Sequence, residues 1–216
     1  MGPMLHSPEL QAARPPAVWT DIVARAQPAY GDQLDLALRE GRFGLDAYVG
    51  WLANESAACR ICALSFDAVA AWQGSQPALQ ATALAWAEEL REVGALAAAD
   101  VRRLGGIAPA SAQSIGDWHG FLARACGSQR VGEALGAALL QVAAVEGRLR
   151  SALECLRGRP MAETAHAYLD RRLKTGLDPR QAERDALLDT HAAAALGAGA
   201  LRAALWRQQA LQAVLA

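Results

Sequence analysis

The sequence has 216 residues, of which 53% are hydrophobic and 20% are charged. A chain of this length and apolar content can bury a large core, which excludes general disorder. The formal net charge of −1 argues against a nucleic-acid-binding surface, because such a surface needs a clustered excess of positive charge. We therefore predict a flexible N-terminal tail over residues 1–14 and one Ala-rich helical domain over residues 15–216.

Membrane insertion and secretion are not expected. No stretch of about 20 apolar residues is free of charge, so the sequence predicts no membrane span. The N-terminal residues lack the basic segment and apolar run of a secretory signal. Four cysteines are too few for a disulfide framework in a chain of this length. We expect free thiols in a cytoplasmic protein.

Apolar residues recur at helical spacing along nearly the whole chain, and no segment alternates as a strand would. The pattern predicts an all-α fold of about eight helices. The connections are short, so consecutive helices should pack antiparallel. The predicted helices cover residues 17–27, 30–40, 45–73, 77–105, 111–125, 128–157, 160–176 and 178–216.

Glycine and proline set these boundaries. The residue before a proline avoids helical angles, so Pro28 should separate the first two helices. Gly41 should end the second helix as its C-terminal cap. Asp178 followed by Pro179 should open the last helix, as an N-cap with proline at the first helical position.

One stripe of the predicted helix over 45–73 combines aromatic rings, thiols and a carboxylate. At about 100° per residue, one face carries Tyr48, Trp51, Glu55, Cys59, Cys62 and Phe66. Ligand cavities combine apolar walls with a few fixed polar groups. We therefore expect a substrate pocket walled by Tyr48, Trp51 and Phe66, with Cys59 beside it.

Glu55 lies at the centre of that stripe. A carboxylate placed there needs a partner or becomes protonated. We expect burial to raise its pKa toward neutrality, so that Glu55 acts as a catalytic acid or base. The alternative is that Glu55 lies at the edge of the stripe and reaches solvent or an Arg.

Two further features of the sequence bear on the pocket. Cys59 and Cys62 form a Cys-x-x-Cys in mid-helix, whereas the redox motif needs an exposed Cys at a helix N-terminus, so we predict two buried small hydrophobes. Glu146 interrupts an apolar stripe of the predicted helix over 128–157. It is expected to line the pocket, or alternatively to pair with Arg148 or Arg150.

The predicted helix over 160–176 carries two polar pairs on faces that differ by about 160°. Tyr168 and Arg172 would suit an organic substrate with carboxylates, through a phenol and a guanidinium. His166 and Asp170 would suit a metal site completed from other helices. The ligands of that alternative site would be Glu88, Glu146, His166 and Asp170, with Glu55 as another candidate carboxylate.

Several short strings follow one another as they do in the heme-oxygenase-like all-α superfamily. They are residues 27–30, residues 38–43, Trp-Leu-Ala-Asn at 51–54, Tyr168 with Arg172 and Leu173, and Leu-Trp at 205–206. Over most of its length the chain resembles that superfamily, and within it the pyrroloquinoline-quinone synthase and TenA thiaminase group most closely.

The resemblance implies a helical bundle around a central pocket and an enzyme, most readily an oxidoreductase, that acts on a cofactor precursor or an aromatic metabolite. It implies no metal, and it places Tyr168 and Arg172 in the active site. Other family positions differ: an Arg is Glu55 here, a Gln is Cys59, and the opening His is Gln27. Synthesis of pyrroloquinoline quinone itself is therefore not expected.

Three alternatives stay open. One is a di-iron type oxidase of the same fold, with iron as its cofactor. Another is a non-catalytic relative that binds a ligand or a partner protein. The third is a heme-binding protein. The expected partner is a small-molecule substrate; a homodimer is compatible with the sequence, which does not fix the oligomeric state.

Overall fold

The computed structural model describes residues 17–72, 76–106, 113–127, 130–143, 145, 147–174 and 191–216. Within these residues every regular element is helical, which confirms the all-α class. The helices are α1 (Ala17–Arg39), α2 (Leu45–Trp72), α3 (Pro77–Arg103), α4 (Gln113–Gly127), α5 (Val131–Val142), α6 (Gly147–Arg157), α7 (Ala167–Lys174) and α8 (Ala193–Leu215). The predicted tail over 1–14, and Asp178 with Pro179, lie outside the described residues. None of the described helices is long and apolar enough to cross a lipid bilayer.

Helix α1 runs through Pro28, so the predicted division into two helices is wrong. Proline removes one backbone donor and disfavours helical angles in the residue before it. Here tertiary packing compensates, because Gln27, Tyr30 and Leu34 on both sides of the proline are buried. The continuous helix places Tyr30 on the inside of the molecule.

The segment predicted as one helix over 128–157 consists of two helices, α5 and α6. The chain leaves helical angles at Ala143, where ψ is 141°, and Gly147 has a positive φ of 54°. Glycine adopts that angle without steric cost, so it permits the sharp change of direction. The predicted single stripe therefore does not exist, and Glu146 itself lies outside the described residues.

The ends of α1 and α3 were predicted correctly. Gly41 and Gly105 have φ of 70° and 71°. The amide after each glycine bonds to a carbonyl five residues earlier, from Arg42 to Ala37 and from Gly106 to Val101. This is the Schellman pattern, in which a left-handed glycine satisfies the last carbonyls of a helix.

The predicted helix over 160–176 is shorter than expected. A 3₁₀ turn over Pro160–Ala162 precedes α7, which begins at Ala167. The carboxylate of Asp100 on α3 accepts a hydrogen bond from the Tyr168 amide at 2.9 Å. Asp100 is completely buried, so a neighbouring helix caps the start of α7 and fixes the position of Tyr168.

Helices α2, α5 and α8 form the centre of the molecule. Helix α2 packs against α3 along its length and also contacts α4, α5 and α8, while α8 packs against α5 and α1. Every residue of α5 from Val131 to Gln141 is buried. Helices α5 and α8 approach closely because Gly136 faces the Leu196 backbone and Gly199 faces the Glu133 backbone. The remaining helices surround this centre, with α6 on α1 and α7 on α3 and α6.

Candidate functional site

The carboxylate of Glu55 on α2 is the centre of a buried polar cluster. Glu55 is 4% exposed and accepts hydrogen bonds from four other helices. Its donors are Tyr30 of α1 at 3.5 Å, Gln141 of α5 at 3.1 Å, Tyr168 of α7 at 2.5 Å and Arg207 of α8 at 3.2 Å. We call these five side chains the Glu55 cluster. It joins segments that are far apart in the sequence at one point inside the molecule.

Glu55 is ionised at neutral pH. Burial alone would raise its pKa. The charge of Arg207 and the hydroxyl of Tyr168 outweigh burial, helped by Arg172 and the Gln141 amide, and hold the pKa of Glu55 below its ordinary value of 4.5. The expectation of a raised pKa is therefore wrong, because the fold brings to Glu55 a charge and hydrogen-bond donors that outweigh burial.

Both phenols of the cluster stay protonated. Burial, and then the negative charge of Glu55, raise the pKa of Tyr30 and Tyr168 far above neutral pH. Trp51 Nε1 donates to the Tyr30 hydroxyl at 2.9 Å, and the Arg207 guanidinium lies 4.6 Å from the centre of the Tyr30 ring. At neutral pH the cluster thus contains one carboxylate, one guanidinium and two neutral phenols.

Arg207 was not among the predicted site residues, although the sequence contains a signal for it. Arg207 is 9% exposed and stands at helical spacing from Ala200, Ala203 and Ala204, which are all buried. An Arg on an apolar face of α8 is the counterpart of the Glu on the apolar face of α2. The two side chains form an ion pair at 3.2 Å.

The predicted pocket wall is only partly assembled. The rings of Tyr48 and Trp51 stack at 6.0 Å, and the edge of Trp51 meets Tyr168 at 5.6 Å. The Tyr48 hydroxyl donates to the backbone carbonyl of Ala165 and is not a donor to Glu55. Phe66 packs against Trp86 of α3, with ring centres 5.4 Å apart.

The two cysteines of the Cys-x-x-Cys motif are completely buried, as predicted. Cys59 lies beside the cluster, where the Gln141 amide donates to its sulfur at 3.5 Å. Burial raises the pKa of Cys59 to about 11 and that of Cys62 well above its ordinary value. Both thiols are therefore protonated at neutral pH and poorly reactive.

Helix α7 turns its Tyr168 and Arg172 face inward. Both residues are buried, and Arg172 donates to the backbone carbonyl of Gln141 at 2.9 Å. The other predicted pair, His166 and Asp170, is about one-third exposed and 2.8 Å apart. Arg157 also donates to Asp170, at 2.8 Å. The structure thus brings the predicted substrate pair, and not the predicted metal pair, to Glu55.

The residues present do not fit the alternative iron site. Glu88 is exposed and pairs with Arg91 at 3.2 Å, while Asp170 is occupied by Arg157 and His166. Glu146 lies outside the described residues. No group of three His, Cys, Asp or Glu side chains that could hold a metal ion occurs in the part of the chain that the structure describes.

Two small recesses adjoin the Glu55 cluster, each of about 10 Å³, close to the space that one water molecule needs. One lies beside Gln27 and Arg207, and the other beside Trp118 and Arg207. Each of these three residues has a buried N–H group without an acceptor among the described residues. The recesses are thus small and rich in hydrogen-bond donors.

Comparison with protein-family models, with curated proteins and with solved structures finds no match to this chain. The resemblance to the heme-oxygenase-like superfamily therefore stays a prediction, and the geometry of the site carries the functional argument.

Proposed function

We propose that the protein is a small-molecule enzyme of the heme-oxygenase-like type, and that the Glu55 cluster is its active site. The observation that carries this proposal is the convergence of five helices on one buried carboxylate. A buried ion pair is rarely the most stable way to fill a core. Clusters of titratable groups with perturbed pKa values are concentrated at functional sites.

The positions of Tyr168 and Arg172 support the oxidase that the resemblance implies. The resemblance assigns both residues to the active site. Tyr168 donates to Glu55, and the charge of Arg172 lowers the pKa of Glu55. An ionised Glu55 cannot serve as an acid. It would instead accept a hydrogen bond from an N–H or O–H group of the substrate, in place of the bond from Tyr168. The Tyr168 hydroxyl would then donate to a substrate oxygen that gains negative charge.

A non-catalytic ligand-binding relative is the second candidate. It is favoured by the saturation of Glu55, which already accepts from four donors, and by the small size of the two recesses. Both candidates use the same site and differ in whether a bound molecule is converted. For either one, the cytoplasmic location expected from the sequence agrees with four cysteines that form no disulfide.

Tyr168→Phe tests the proposed site, with Tyr48→Phe as its matched control. Both phenols are buried, both contact Trp51, and each donates one hydrogen bond, but only Tyr168 donates to Glu55. Aromatic and heterocyclic carbonyl and carboxylate compounds would be screened by the rise in Tm that they cause. We expect hits that stabilise wild type and Tyr48→Phe, and that lose most of their effect in Tyr168→Phe.

A hit that stabilises all three proteins equally binds elsewhere and contradicts the proposed site. Oxygen consumption with each hit then separates the two candidates. Conversion that consumes oxygen in wild type and fails in Tyr168→Phe supports the oxidase, whereas binding without conversion supports the non-catalytic relative.

A further inference from the structure

A second feature of the core is the recess between α1, α5, α6 and α8. It is lined by Gln27 and Arg207, with apolar walls from Leu140, Leu149 and Ala204. Its volume is about 10 Å³, so it admits one atom or a molecule of the size of water. The carboxylate of Glu55 is not among its lining residues.

The polar atoms beside this recess that have no hydrogen-bond partner in the described part of the chain are both donors. Gln27 Nε2 and Arg207 Nε have no acceptor among the described residues, although the two side chains are only 7% and 9% exposed. A buried donor without an acceptor is costly. Two such donors beside one recess favour an occupant that accepts hydrogen bonds.

A water molecule is a poor solution to this need. Buried waters typically form about three hydrogen bonds and need acceptors for their own hydrogens. The Tyr30 hydroxyl at the recess already donates to Glu55 and accepts from Trp51. An anion only accepts hydrogen bonds, and its bond to a guanidinium is stronger than a bond between neutral groups. We propose that the recess is a binding site for a halide-sized monovalent anion such as chloride.

Anion titration of the purified full-length chain tests this proposal. Bromide, chloride and formate would be added separately, with sodium sulfate holding the ionic strength constant, and Tm would be measured. A ligand that binds only the folded state raises Tm until its site is full. We expect a saturating rise with chloride and bromide in wild type, and none in Gln27→Leu. Gln33→Leu is the matched control, since it alters a Gln of the same helix whose unpaired atom is an acceptor oxygen, and it should keep the effect.

A crystal grown with bromide provides an independent measurement. An anomalous peak between Gln27 and Arg207 is expected. The proposal is overturned by a halide effect that persists in Gln27→Leu, by saturation with formate alone, by the absence of any saturating shift in wild type, or by the absence of that peak. The anion site shares Arg207 with the Glu55 cluster, but its test varies Gln27, which is not part of that cluster, so this result does not depend on the proposed enzyme activity. A failed ligand screen and a failed halide titration are therefore separate results.

Discussion

At the scale of single residues, the pair of Glu55 and Arg207 sets the electrostatics of the core. Each is buried, the two form an ion pair, and the charge of Arg207 keeps Glu55 ionised. Removing one partner of a buried pair leaves an uncompensated charge, which costs about 3–5 kcal/mol. We expect Glu55→Gln to lower the free energy of unfolding by that amount at pH 7. Removing both charges, in Glu55→Gln with Arg207→Gln, should cost less than Glu55→Gln alone.

The same pair predicts a pH dependence. The folded-state pKa of Glu55 lies below 4.5, so its contribution to stability is complete above that pH and is lost as the pH falls through the folded-state pKa. In urea unfolding between pH 7 and pH 3, the difference between wild type and Glu55→Gln should therefore shrink in acid. A difference that stays constant would contradict this. Glu88→Gln, at an exposed pair, should change the free energy of unfolding little at any pH.

At the scale of helices, local signals predicted ends better than interruptions. Gly41 and Gly105 were recognisable because a left-handed glycine has a local geometric role at a helix end. The prediction of a helix end at Pro28 was wrong, because burial of the residues around it outweighs the local preference of proline against a helix interior. The break before Gly147 was missed because the apolar spacing continues from α5 into α6. Only the packing of each helix against different neighbours shows that the chain changes direction there.

The close approach of α5 and α8 depends on two glycines, Gly136 and Gly199. A Cβ atom at Gly136 would overlap the Leu196 carbonyl, and one at Gly199 would overlap the Glu133 carbonyl. Overpacking of this kind costs typically about 1–3 kcal/mol, more than the roughly 1 kcal/mol that Gly→Ala gains in helix propensity. Gly136→Ala should therefore destabilise the protein in urea unfolding.

Gly116→Ala is the matched control for that measurement. Gly116 also lies inside a helix, but nothing is within 4 Å of the position of its Cβ. It should stabilise the protein by up to about 1 kcal/mol, since only helix propensity changes. Equal effects of the two substitutions would show that the close approach of α5 and α8 is not required.

At the scale of the whole molecule, the sequence indicated individual faces but not how they meet. The inward face of α2 with Glu55 followed from helical periodicity. Periodicity left two faces of α7 open, and only the resemblance selected the face of Tyr168 and Arg172. Tyr30 and Gln141 did not, because a polar residue acquires its role only when the helix that carries it is placed beside another. The prediction of a raised pKa for Glu55 was wrong for the same reason, because Arg207, which lowers that pKa most, is 152 positions away in the sequence.

The dependence of α7 on its neighbours leads to a prediction about the dynamics of the whole molecule. Helix α7 has eight residues, too few to be stable alone in water, and its start is capped by Asp100 of α3. Short elements held by few neighbours open locally at lower free energy than the core. In native-state hydrogen exchange, amides of α7 should exchange through local opening, while those of α5 should require global unfolding.

Asp100→Ala tests that relation between the cap and the site. Loss of an N-cap side chain costs typically about 1 kcal/mol, so exchange of the α7 amides should accelerate about fivefold while α5 retains its dependence on global unfolding. Asp67→Ala, which alters a carboxylate that is about one-third exposed and paired with Arg91, should leave α7 unchanged. Because Asp100 fixes the position of the Tyr168 amide, Asp100→Ala should also shift the Tyr168 hydroxyl relative to Glu55 and weaken every ligand that depends on that hydroxyl. Faster exchange of the α7 amides with unchanged ligand binding would contradict the claim that Asp100 positions Tyr168 in the site.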